Sequence, residues 1–369
     1  MRVNRLTLAD AKEDESECTV GSLSFPFPDK PAPGHAIEVA PGVHWVRFTL
    51  PFSLDHINCW LIEDGEGWAV VDTGLRGHET EEQWRRLFTG VMGGRPVTRV
   101  FATHLHPDHI GQAGFLVRHF GAPLWMTRAE FLLARVLCLD VRPEPPAEAV
   151  DFYRRCGFTP EMIETYKARG FGNFSLGVTE MPVGYQRMSD GDRIEIGGDE
   201  WEVVVGRGHS PEHACLWSPT RKLLISGDQV LPRISSNVSV GVTEPEADPL
   251  TDWLDSLEIL ARRIPDDVMV LPAHNEPFTG LHYRLQRLAQ GHQRRLDITV
   301  DALEEPRHAL DLMLPMFKRK LEGTDLMLAL GEGLAHLHCL RARGLIMREE
   351  GADGVHYWRR LATARDAAE

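Results

Sequence analysis

Cysteine is scarce in this sequence and occurs in none of the patterns that give it a structural role. Six cysteines are spread over 369 residues without a C-x-x-C pair or a dense framework: Cys18, Cys59, Cys138, Cys156, Cys215 and Cys339. This usage excludes a small scaffold held together by disulfides. We therefore expect reduced thiols and a cytoplasmic location.

Long apolar runs and an excess of positive charge are also absent. Residues 1–17 are charged without an apolar signal core, and no apolar run is long enough to span a membrane. Lys and Arg number 40 against 54 for Asp and Glu, which gives a net charge of −14. This balance disfavours a general polyanion binder such as a nucleic-acid protein, although a local basic groove would be compatible with it. We expect a small-molecule substrate and no membrane contact.

What the sequence does contain is a dense group of histidines directly after a short apolar run. Residues 100–109 read VFATHLHPDH. Alternation along an extended segment places His104 and His106 on the same side, and a turn at Pro107 can bring Asp108 and His109 back toward the same point. Imidazole with a neighbouring carboxylate suits zinc, iron or manganese. A polar loop whose histidines only cap backbone groups would not explain this density, so the stretch predicts a metal site.

The stretch resembles the T-H-x-H-x-D-H signature of the metallo-β-lactamase-fold superfamily, beginning at Thr103. Four further motifs of that family occur in the family's order between residues 68 and 274. They are VVDTG at 70–74, GHSP at 208–211, SGD at 226–228 and PAH at 272–274. Together the motifs extend over most of the first three quarters of the chain.

This resemblance implies a dinuclear metal centre that holds zinc, with iron or manganese as alternatives. The implied ligands are His104, His106 and His209 for the first ion, Asp108, His109 and His274 for the second, and Asp228 as the bridge. In such a centre a metal-bridging hydroxide attacks a carbonyl or phosphorus atom. Asp108 is also the candidate that passes a proton to the leaving group, and Asp72 is expected to orient a ligand histidine.

Other polar residues near these motifs carry weaker signals. Arg233, in the segment 231–237 after the bridging aspartate, is our candidate for clamping a substrate carboxylate or phosphate, with a structural ion pair as the alternative. His56 and His213 are interpreted as hydrogen-bonded structural residues. His336 and His338 are two positions apart on a predicted helix and therefore do not face each other, so we interpret them as surface or packing residues.

The pattern of strands and helices divides the chain into three parts. Residues 1–36 form a proline-rich arm. Residues 37–296 alternate short strands with helices, and the resemblance implies an α/β fold of the αββα metallo-β-lactamase type with a helical insertion at about 127–187 beside the active-site mouth. Within this part, residues 81–88 predict a helix capped by Thr80 and Gln83, with Trp84 and Leu87 inward, and residues 110–120 predict another helix.

Residues 297–369 show helices followed by a two-strand ribbon, which resembles a winged-helix unit. Such units often bind DNA, but here acidic residues outnumber basic ones, and the candidate recognition helix carries arginine only at its end. We therefore expect this part to serve protein packing, with a homodimer as one form of it, rather than reading of a DNA groove.

The sequence thus predicts a dinuclear metal-dependent hydrolase acting on a small acyl ester, thioester or lactone. The alternative is an endoribonuclease or phosphodiesterase of the lactamase-like type, whose architecture includes a comparable tail. A third reading is a mononuclear iron persulfide dioxygenase, although such enzymes use one metal and this chain keeps Asp108 and His109. A β-lactamase is disfavoured because those enzymes are usually secreted. A non-catalytic binder is disfavoured because degenerate copies usually lose ligands.

Overall fold

The computed structural model describes residues 22–52 and 54–361. Cys18 and the part of the predicted arm before residue 22 lie outside this range. The described part of the arm, up to residue 35, forms no helix or named strand of its own, but it packs on the body of the protein. Ser24 pairs with Thr279 in an isolated β-bridge, and the Phe25 ring lies 6.5 Å from the Phe278 ring.

The first sheet contains seven strands that lie side by side in chain order. These are β1 (Ala36–Ala40), β2 (Val43–Thr49), β3 (His56–Asp64), β4 (Gly67–Val71), β5 (Val97–Phe101), β6 (Leu124–Thr127) and β7 (Gln186–Met188). β1 to β4 are antiparallel, whereas β4 to β7 are parallel. A tight hairpin turn at Gly65 joins β3 to β4, because Asp64 pairs with Gly67.

The second sheet contains five strands in the order β12-β11-β10-β9-β8. These are β8 (Arg193–Ile196), β9 (Asp199–Gly206), β10 (His213–Ser218), β11 (Leu223–Gly227) and β12 (Met269–Pro272). Neighbours are antiparallel except β11 and β12, which run parallel. β9, β11 and β12 therefore all point the same way.

Ten α-helices surround the two sheets in the part of the chain that the structure describes. They are α1 (His78–Thr89), α2 (Pro107–Ile110), α3 (Ala113–Phe120), α4 (Arg128–Leu139), α5 (Ala147–Arg155), α6 (Pro160–Lys167), α7 (Pro249–Arg263), α8 (Leu281–Asp301), α9 (Met313–Phe317) and α10 (Gly323–Ala342). No described helix is both long enough and apolar enough to cross a lipid bilayer.

Three apolar clusters hold these layers together and confirm the predicted αββα sandwich. Trp45, Trp60 and Phe101 of the first sheet belong to the same buried cluster as Trp201 and Leu216 of the second. The outer face of the first sheet packs against α1, α3 and α4. The outer face of the second sheet packs against α7, α8 and the C-terminal elements. Both sheets are thus buried on two faces, which is typical of layered α/β proteins.

The start of α1 corrects one prediction. Trp84 and Leu87 are buried as expected. However, the helix begins at His78 after Gly77, so Thr80 lies inside its first turn and makes no capping hydrogen bond. The Gln83 amide instead donates to the carboxylate of Glu79, which also lies in the first turn. The predicted capping box is therefore wrong.

The helix predicted at residues 110–120 is present as α3 from Ala113, whereas Ile110 ends the preceding short helix α2. The break occurs where Gly111 passes close to the loop after β4. A Cβ at this position would lie 2.3 Å from the backbone nitrogen of Arg76 and 2.5 Å from the carbonyl oxygen of Gly74. In addition, the backbone N–H of Gln112 donates to Thr73 Oγ1 instead of continuing the helix. Tertiary contacts at the site thus override the local helical pattern.

The insertion consists of α4, α5, α6 and a 3₁₀ helix (Asn173–Leu176), and it returns through β7. Its last part lies beside the metal motif. A Cβ at Gly177 would lie 2.8 Å from the Pro107 side chain, and the Gly177 carbonyl accepts a hydrogen bond from the backbone N–H of Arg76.

The C-terminal part has a three-stranded sheet where the sequence predicted a two-stranded ribbon. A short strand, β13 (Arg307–His308), joins β14 (Ile346–Glu350) and β15 (His356–Arg360) in the order β13-β15-β14. α8 runs unbroken across the boundary that the sequence placed at residue 296. His336 and His338 are both buried, so of the two readings offered for them, packing is confirmed and a surface position is wrong.

Candidate metal centre

The predicted metal ligands and Asp72 meet at one edge of the sandwich, where several strands end. The histidine motif follows β5, and Asp72 follows its parallel neighbour β4. In the second sheet, His209 comes after β9, Asp228 directly after β11 and His274 after β12. Because parallel strands end at the same edge of a sheet, the topology brings all of these side chains together.

Four of the side chains form a first group that could hold a metal ion: His104, His106, His209 and Asp228. His104 Nε2 lies 2.9 Å from His106 Nδ1 and 3.2 Å from His209 Nε2. The distance between His106 Nδ1 and His209 Nε2 is 3.0 Å. Three nitrogens this close together face a single point, as donors around one cation do.

Asp108, His109 and His274 form a second group. Asp108 Oδ2 lies 3.4 Å from His274 Nε2 and 3.7 Å from His109 Nε2. Asp228 lies between the groups: its Oδ2 is 3.3 Å from His209 Nε2 and 3.6 Å from His109 Nε2, and its Oδ1 is 3.4 Å from His274 Nε2. One carboxylate therefore faces donors of both groups, as a bridging ligand would.

Asp72 orients one of these histidines, as the sequence predicted. Its Oδ2 lies 2.7 Å from His109 Nδ1, which leaves Nε2 of that ring facing the second group. The Asp72 carboxylate also accepts hydrogen bonds from the backbone N–H and the hydroxyl of Thr103. Asp72 has a φ of 62°, in the left-handed region that non-glycine residues rarely adopt. Strain of this kind is typical of residues that a functional site holds in place.

Two further histidines are oriented by backbone carbonyls rather than by side chains. His209 Nδ1 donates to the carbonyl oxygen of Asn237 at 2.7 Å, and His274 Nδ1 donates to that of His56 at 2.8 Å. In each ring the hydrogen bond fixes the tautomer, so that Nε2 keeps its lone pair for the cluster. Neither partner could be recognised from the sequence, because every residue has a carbonyl group.

Glycine is required immediately before both candidate ligands that follow β9 and β11. Gly208 has a φ of 103°, and a Cβ there would lie 2.5 Å from the Cβ of Trp253. Gly227 has a φ of 50°, and its Cβ would lie 2.5 Å from His213 Nε2. These conformations and close approaches exclude larger residues. They explain the glycines of the GHSP and SGD motifs.

His213 and His56 are structural residues, as expected. His213 Nε2 accepts a hydrogen bond from the backbone N–H of Asp228 at 3.0 Å, so this ring supports the loop that carries the bridging carboxylate. His56 Nε2 accepts one from the backbone N–H of Asn275 at 2.8 Å. Neither ring belongs to the two groups of potential ligands.

Glu130 is a site residue that the sequence reasoning missed. It lies in α4, at the start of the insertion, and is completely buried. Its carboxylate accepts hydrogen bonds from the backbone N–H of Leu105, between the first two motif histidines, and of Glu212, just after His209. Burial raises the pKa of Glu130. The insertion therefore supports the loops of the metal centre from its first helix.

Two histidines of the first group, His104 and His106, are held in their neutral form. Burial, reinforced by neighbouring histidines, lowers the pKa of His104 well below its ordinary value. Burial and the nearby His209 lower the pKa of His106 to about 3. Neutral imidazoles are ready to donate a lone pair without losing a proton.

The second group has the opposite electrostatic character. Burial lowers the pKa of His109, but the carboxylates of Asp72, Asp108 and Asp228 outweigh it and raise that pKa well above its ordinary value. The pKa of His274 is likewise raised, because Asp228 and Asp108 outweigh burial. These carboxylates create a field that favours positive charge inside a buried site. Such a field also attracts a divalent cation.

Two buried atoms of the cluster, His109 Nε2 and Asp228 Oδ1, have no hydrogen-bond partner among the described residues. A buried polar atom without a partner typically costs about 1–3 kcal/mol. Cations held by the two groups would satisfy both atoms. The nitrogen and oxygen donors suit zinc, iron or manganese. The residues present therefore fit a divalent metal centre.

Arg233 lies in an ion pair near the centre. Its Nε donates to the carboxylate of Glu276 at 2.9 Å, and its guanidinium group lies 4.2 Å from the Phe25 ring centroid. Glu276 also pairs with Lys30 at 2.6 Å. The structural ion pair that was the alternative prediction for Arg233 is thus present. Its side chain is nevertheless 52% exposed, and a role in substrate binding remains a prediction.

The comparison with protein families identifies the class that this fold and site define. Residues 53–274 match the model of the metallo-beta-lactamase superfamily, and residues 296–361 match that of the metallo-beta-lactamase-like C-terminal domain. The first match covers more than half of the chain. The protein therefore belongs to the metallo-beta-lactamase superfamily and is a metal-dependent hydrolase.

Individual proteins similar to this chain include one solved structure and two thioesterases. The crystal structure of a beta-lactamase domain protein from Burkholderia ambifaria is 40% identical and covers 92% of this chain and 98% of its own, with a TM-score of 0.84. Acyl-coenzyme A thioesterase MBLAC2 of Bos taurus is 26% identical over 51% of this chain and 63% of its own length. Atrochrysone carboxyl ACP thioesterase of Aspergillus fumigatus is 21% identical over 69% of this chain and 46% of its own. The chain thus matches less than two thirds of either thioesterase.

Asp72→Asn should weaken zinc binding about 10–100-fold, the usual effect of losing an outer partner of a metal-ligating histidine. The amide keeps the size of the carboxylate but removes the charge that orients His109 Nδ1–H. Zinc affinity can be measured by competition with a chromophoric chelator. Asp64→Asn is the matched control, because Asp64 also accepts hydrogen bonds from a threonine and a backbone N–H but lies at the hairpin that joins β3 and β4. Equal zinc affinities in the two variants would contradict the role of Asp72.

Proposed function

We propose that this protein is a dinuclear hydrolase whose substrates are small acyl thioesters. The observation that carries the proposal is the position of Asp228, whose two carboxylate oxygens face the donors of two separate groups. A mononuclear enzyme would not need the second group. Esters and lactones, which present the same kind of acyl carbon, are related substrates.

Zinc is the proposed metal, with iron or manganese as alternatives. We assign His104, His106 and His209 to the first ion, Asp108, His109 and His274 to the second, and Asp228 to both. Two such ions would supply Lewis acidity and would lower the pKa of a bound water molecule to near neutral. The chain's own contribution is to hold the donors in fixed tautomers and to exclude bulk water from their buried side.

Asp108 is the proposed proton carrier. Its side chain is 20% exposed, whereas that of Asp228 is 10% exposed, so Asp108 has more access to a substrate at the mouth. Thioester hydrolysis adds water to the acyl carbon, breaks the carbon–sulfur bond and yields a thiol and a carboxylic acid, which releases its proton to solvent and becomes a carboxylate. We propose that Asp108 accepts the proton released by the attacking water and transfers it to the departing sulfur.

The thioester preference is supported by two observations. Two of the similar proteins are named as thioesterases, one for acyl-coenzyme A and one for an acyl carrier protein thioester. In addition, exposed apolar side chains are concentrated on the insertion: Leu132, Val136, Leu139, Val141, Leu176 and Val183. Leu176 directly precedes Gly177, which packs close to Pro107 of the metal motif. Exposed apolar side chains on an insertion that reaches the metal motif suit an acyl chain better than a polar polymer.

The charges of the C-terminal part support a small substrate over RNA. Arg341 and Arg348 both pair with Glu246, at 2.9 and 2.8 Å, and Arg359 pairs with Glu349 at 3.1 Å. Arginines engaged in this way are less available for phosphate contacts, on which nucleic-acid affinity depends. An endoribonuclease therefore remains the second candidate, and Arg233 is proposed as a clamp for an acidic group of a small substrate.

A cytoplasmic location is also part of the proposal. The five cysteines in the described range, Cys59, Cys138, Cys156, Cys215 and Cys339, are all free thiols. Free thiols are typical of proteins in a reducing compartment.

A substrate panel tests the proposed function. The zinc-loaded protein should hydrolyse an acyl-coenzyme A and the corresponding neutral N-acetylcysteamine thioester, and turnover of the neutral thioester should vary little between low and physiological salt. A neutral substrate needs no cationic contacts, whereas RNA binding weakens steeply as salt rises. The panel should include a simple ester, a lactone, a phosphodiester and single-stranded RNA. Salt-sensitive RNA cleavage at catalytic enzyme concentrations, lost in His106→Ala, would favour the second candidate and contradict the thioesterase assignment.

A further inference from the structure

The loop that follows the bridging aspartate connects the metal centre to the C-terminal part of the protein. Residues 235–240, here called the 235–240 loop, form no helix or strand. On the metal side, the Asn237 carbonyl accepts the hydrogen bond from His209 Nδ1, and Ser236 Oγ donates to the backbone carbonyl of Asp228. The position of this loop therefore determines how two candidate ligands are presented.

The opposite side of the same loop is held by α10. The backbone N–H of Val240 donates to the carbonyl of Gly331 at 3.1 Å, and the Asn237 side-chain amide lies 3.4 Å from the carbonyl of Leu328. The contact is close: a Cβ at Gly331 would lie 2.8 Å from Ser239 Oγ and 2.9 Å from its Cβ. The absence of a side chain at this point in α10 thus allows the loop to lie against the helix.

A relay of hydrogen bonds, which runs from the half-buried Ser235 to the buried His292 and His336, provides a second attachment. Ser235 Oγ lies 3.2 Å from His292 Nε2, and His292 Nδ1 lies 3.3 Å from His336 Nε2. His336 Nδ1 must donate to the Glu332 carbonyl, 2.7 Å away, because a carbonyl can only accept. Because both rings are neutral, His336 Nε2 accepts a hydrogen bond from His292 Nδ1. His292 Nε2 in turn accepts one from the Ser235 hydroxyl. The relay connects the loop through α8 to α10.

This relay also accounts for a third group that has metal-binding composition, His292, Glu332 and His336. Both nitrogens of each ring are used in the relay, and the Glu332 carboxylate already pairs with Arg295. In contrast to the candidate metal centre, none of the three side chains has a buried polar atom without a hydrogen-bond partner among the described residues. The group is therefore satisfied without a cation.

We propose that α10 is a positioning element for the first metal ion. By fixing the 235–240 loop, the helix places the Asn237 carbonyl against His209 Nδ1 and so sets the orientation and tautomer of that ligand. The proposal rests on the metal centre of the proposed function but not on the identity of the substrate. It gives the C-terminal part a role at the centre that requires neither DNA binding nor a partner protein.

Gly331→Ala tests this role. The added methyl group requires the backbone of the loop near Ser239 to move, so we expect zinc affinity at one of the two sites to fall about 10-fold or more. Gly333→Ala is the matched control in the same helix, because its Cβ would meet only the flexible end of Met313 and the sulfur of Met316. The measurement is competition for Zn²⁺ with a chromophoric chelator in the absence of substrate, with circular dichroism as the check on folding.

A second variant, Ser235→Ala, tests the same role if Gly331→Ala does not fold. Ser235→Ala removes the hydroxyl that donates to His292 and adds no bulk, and we expect a smaller loss of zinc affinity in the same direction. Unchanged zinc affinity in the folded Gly331→Ala variant, or in Ser235→Ala if the first does not fold, overturns the proposal. A third zinc equivalent that is lost in His336→Ala would also overturn it, because the relay would then be a metal site. Failure of the wild type to hydrolyse any thioester would instead refute only the substrate assignment, whereas failure to bind zinc would refute both.

Discussion

His106→Ala is expected to lose bound metal and activity together. His106 Nδ1 lies 2.9 Å from His104 Nε2 and 3.0 Å from His209 Nε2, so its removal takes one of three converging nitrogens from the first group. An incomplete ligand set holds a cation weakly. Because outer partners alone typically contribute about 10–100-fold, we expect kcat/KM to fall by more than ~100-fold.

The measurements are zinc content after dialysis and hydrolysis of the best thioester from the panel. His78→Ala is the matched control, since His78 is a histidine whose side chain is 86% exposed and which belongs to no group of potential ligands in the described structure. Retention of both zinc ions and of activity in His106→Ala would contradict the ligand assignment. Full wild-type activity with one equivalent of zinc would contradict the dinuclear assignment but leave the first group intact.

The side chains of the metal centre could be predicted because metal binding limits the choice of residue. Only a few residue types donate to zinc or iron, so the dense group around His104 and His106 stands out in the sequence. The distant ligands, such as His274, were predicted from the resemblance to the metallo-β-lactamase-fold superfamily. Asp72 was likewise predicted from the resemblance, and its role agrees with the usual pairing of a carboxylate with a metal-ligating histidine. The fold confirms that these residues meet, at the edge of the sandwich where several strands end.

The supports of the centre could not be predicted, for two physical reasons. The groups that orient His209 and His274 are backbone carbonyls, which any residue supplies. Glu130 is one of many glutamates in the chain, and only the path of α4 brings it to the backbone of Leu105. Long-range contacts of this kind have no local signature.

The C-terminal part shows the same limit. His336 and His338 are two positions apart in α10, and the prediction that they do not face each other was correct. The burial of both histidines on different sides of α10 could not be predicted, because it depends on distant parts of the chain. His336 meets His292 of α8, whereas His338 donates to the backbone carbonyl of Ala247. A helix that is covered all round shows no clear amphipathic pattern. The burial of α10 within the core could therefore be recognised only in the structure.

Leu337→Ala in α10 should destabilise the whole protein rather than the C-terminal part alone. Leu337 is fully buried, and it belongs to the apolar cluster that also contains Trp253 of α7, Leu285 of α8 and Val270 of β12. Truncation of a buried leucine typically costs about 2–5 kcal/mol, which is a large share of an ordinary stability of roughly 5–15 kcal/mol. Because the cluster is continuous, we expect one unfolding transition at a lower urea concentration, monitored by far-ultraviolet circular dichroism and tryptophan fluorescence at fixed zinc concentration.

Leu328→Ala is the matched control in the same helix, since Leu328 is 51% exposed and should change the free energy of unfolding by less than ~0.5 kcal/mol. Two separate transitions, with the tryptophan signal of the sandwich unchanged by Leu337→Ala, would show instead that the C-terminal part folds as an independent unit.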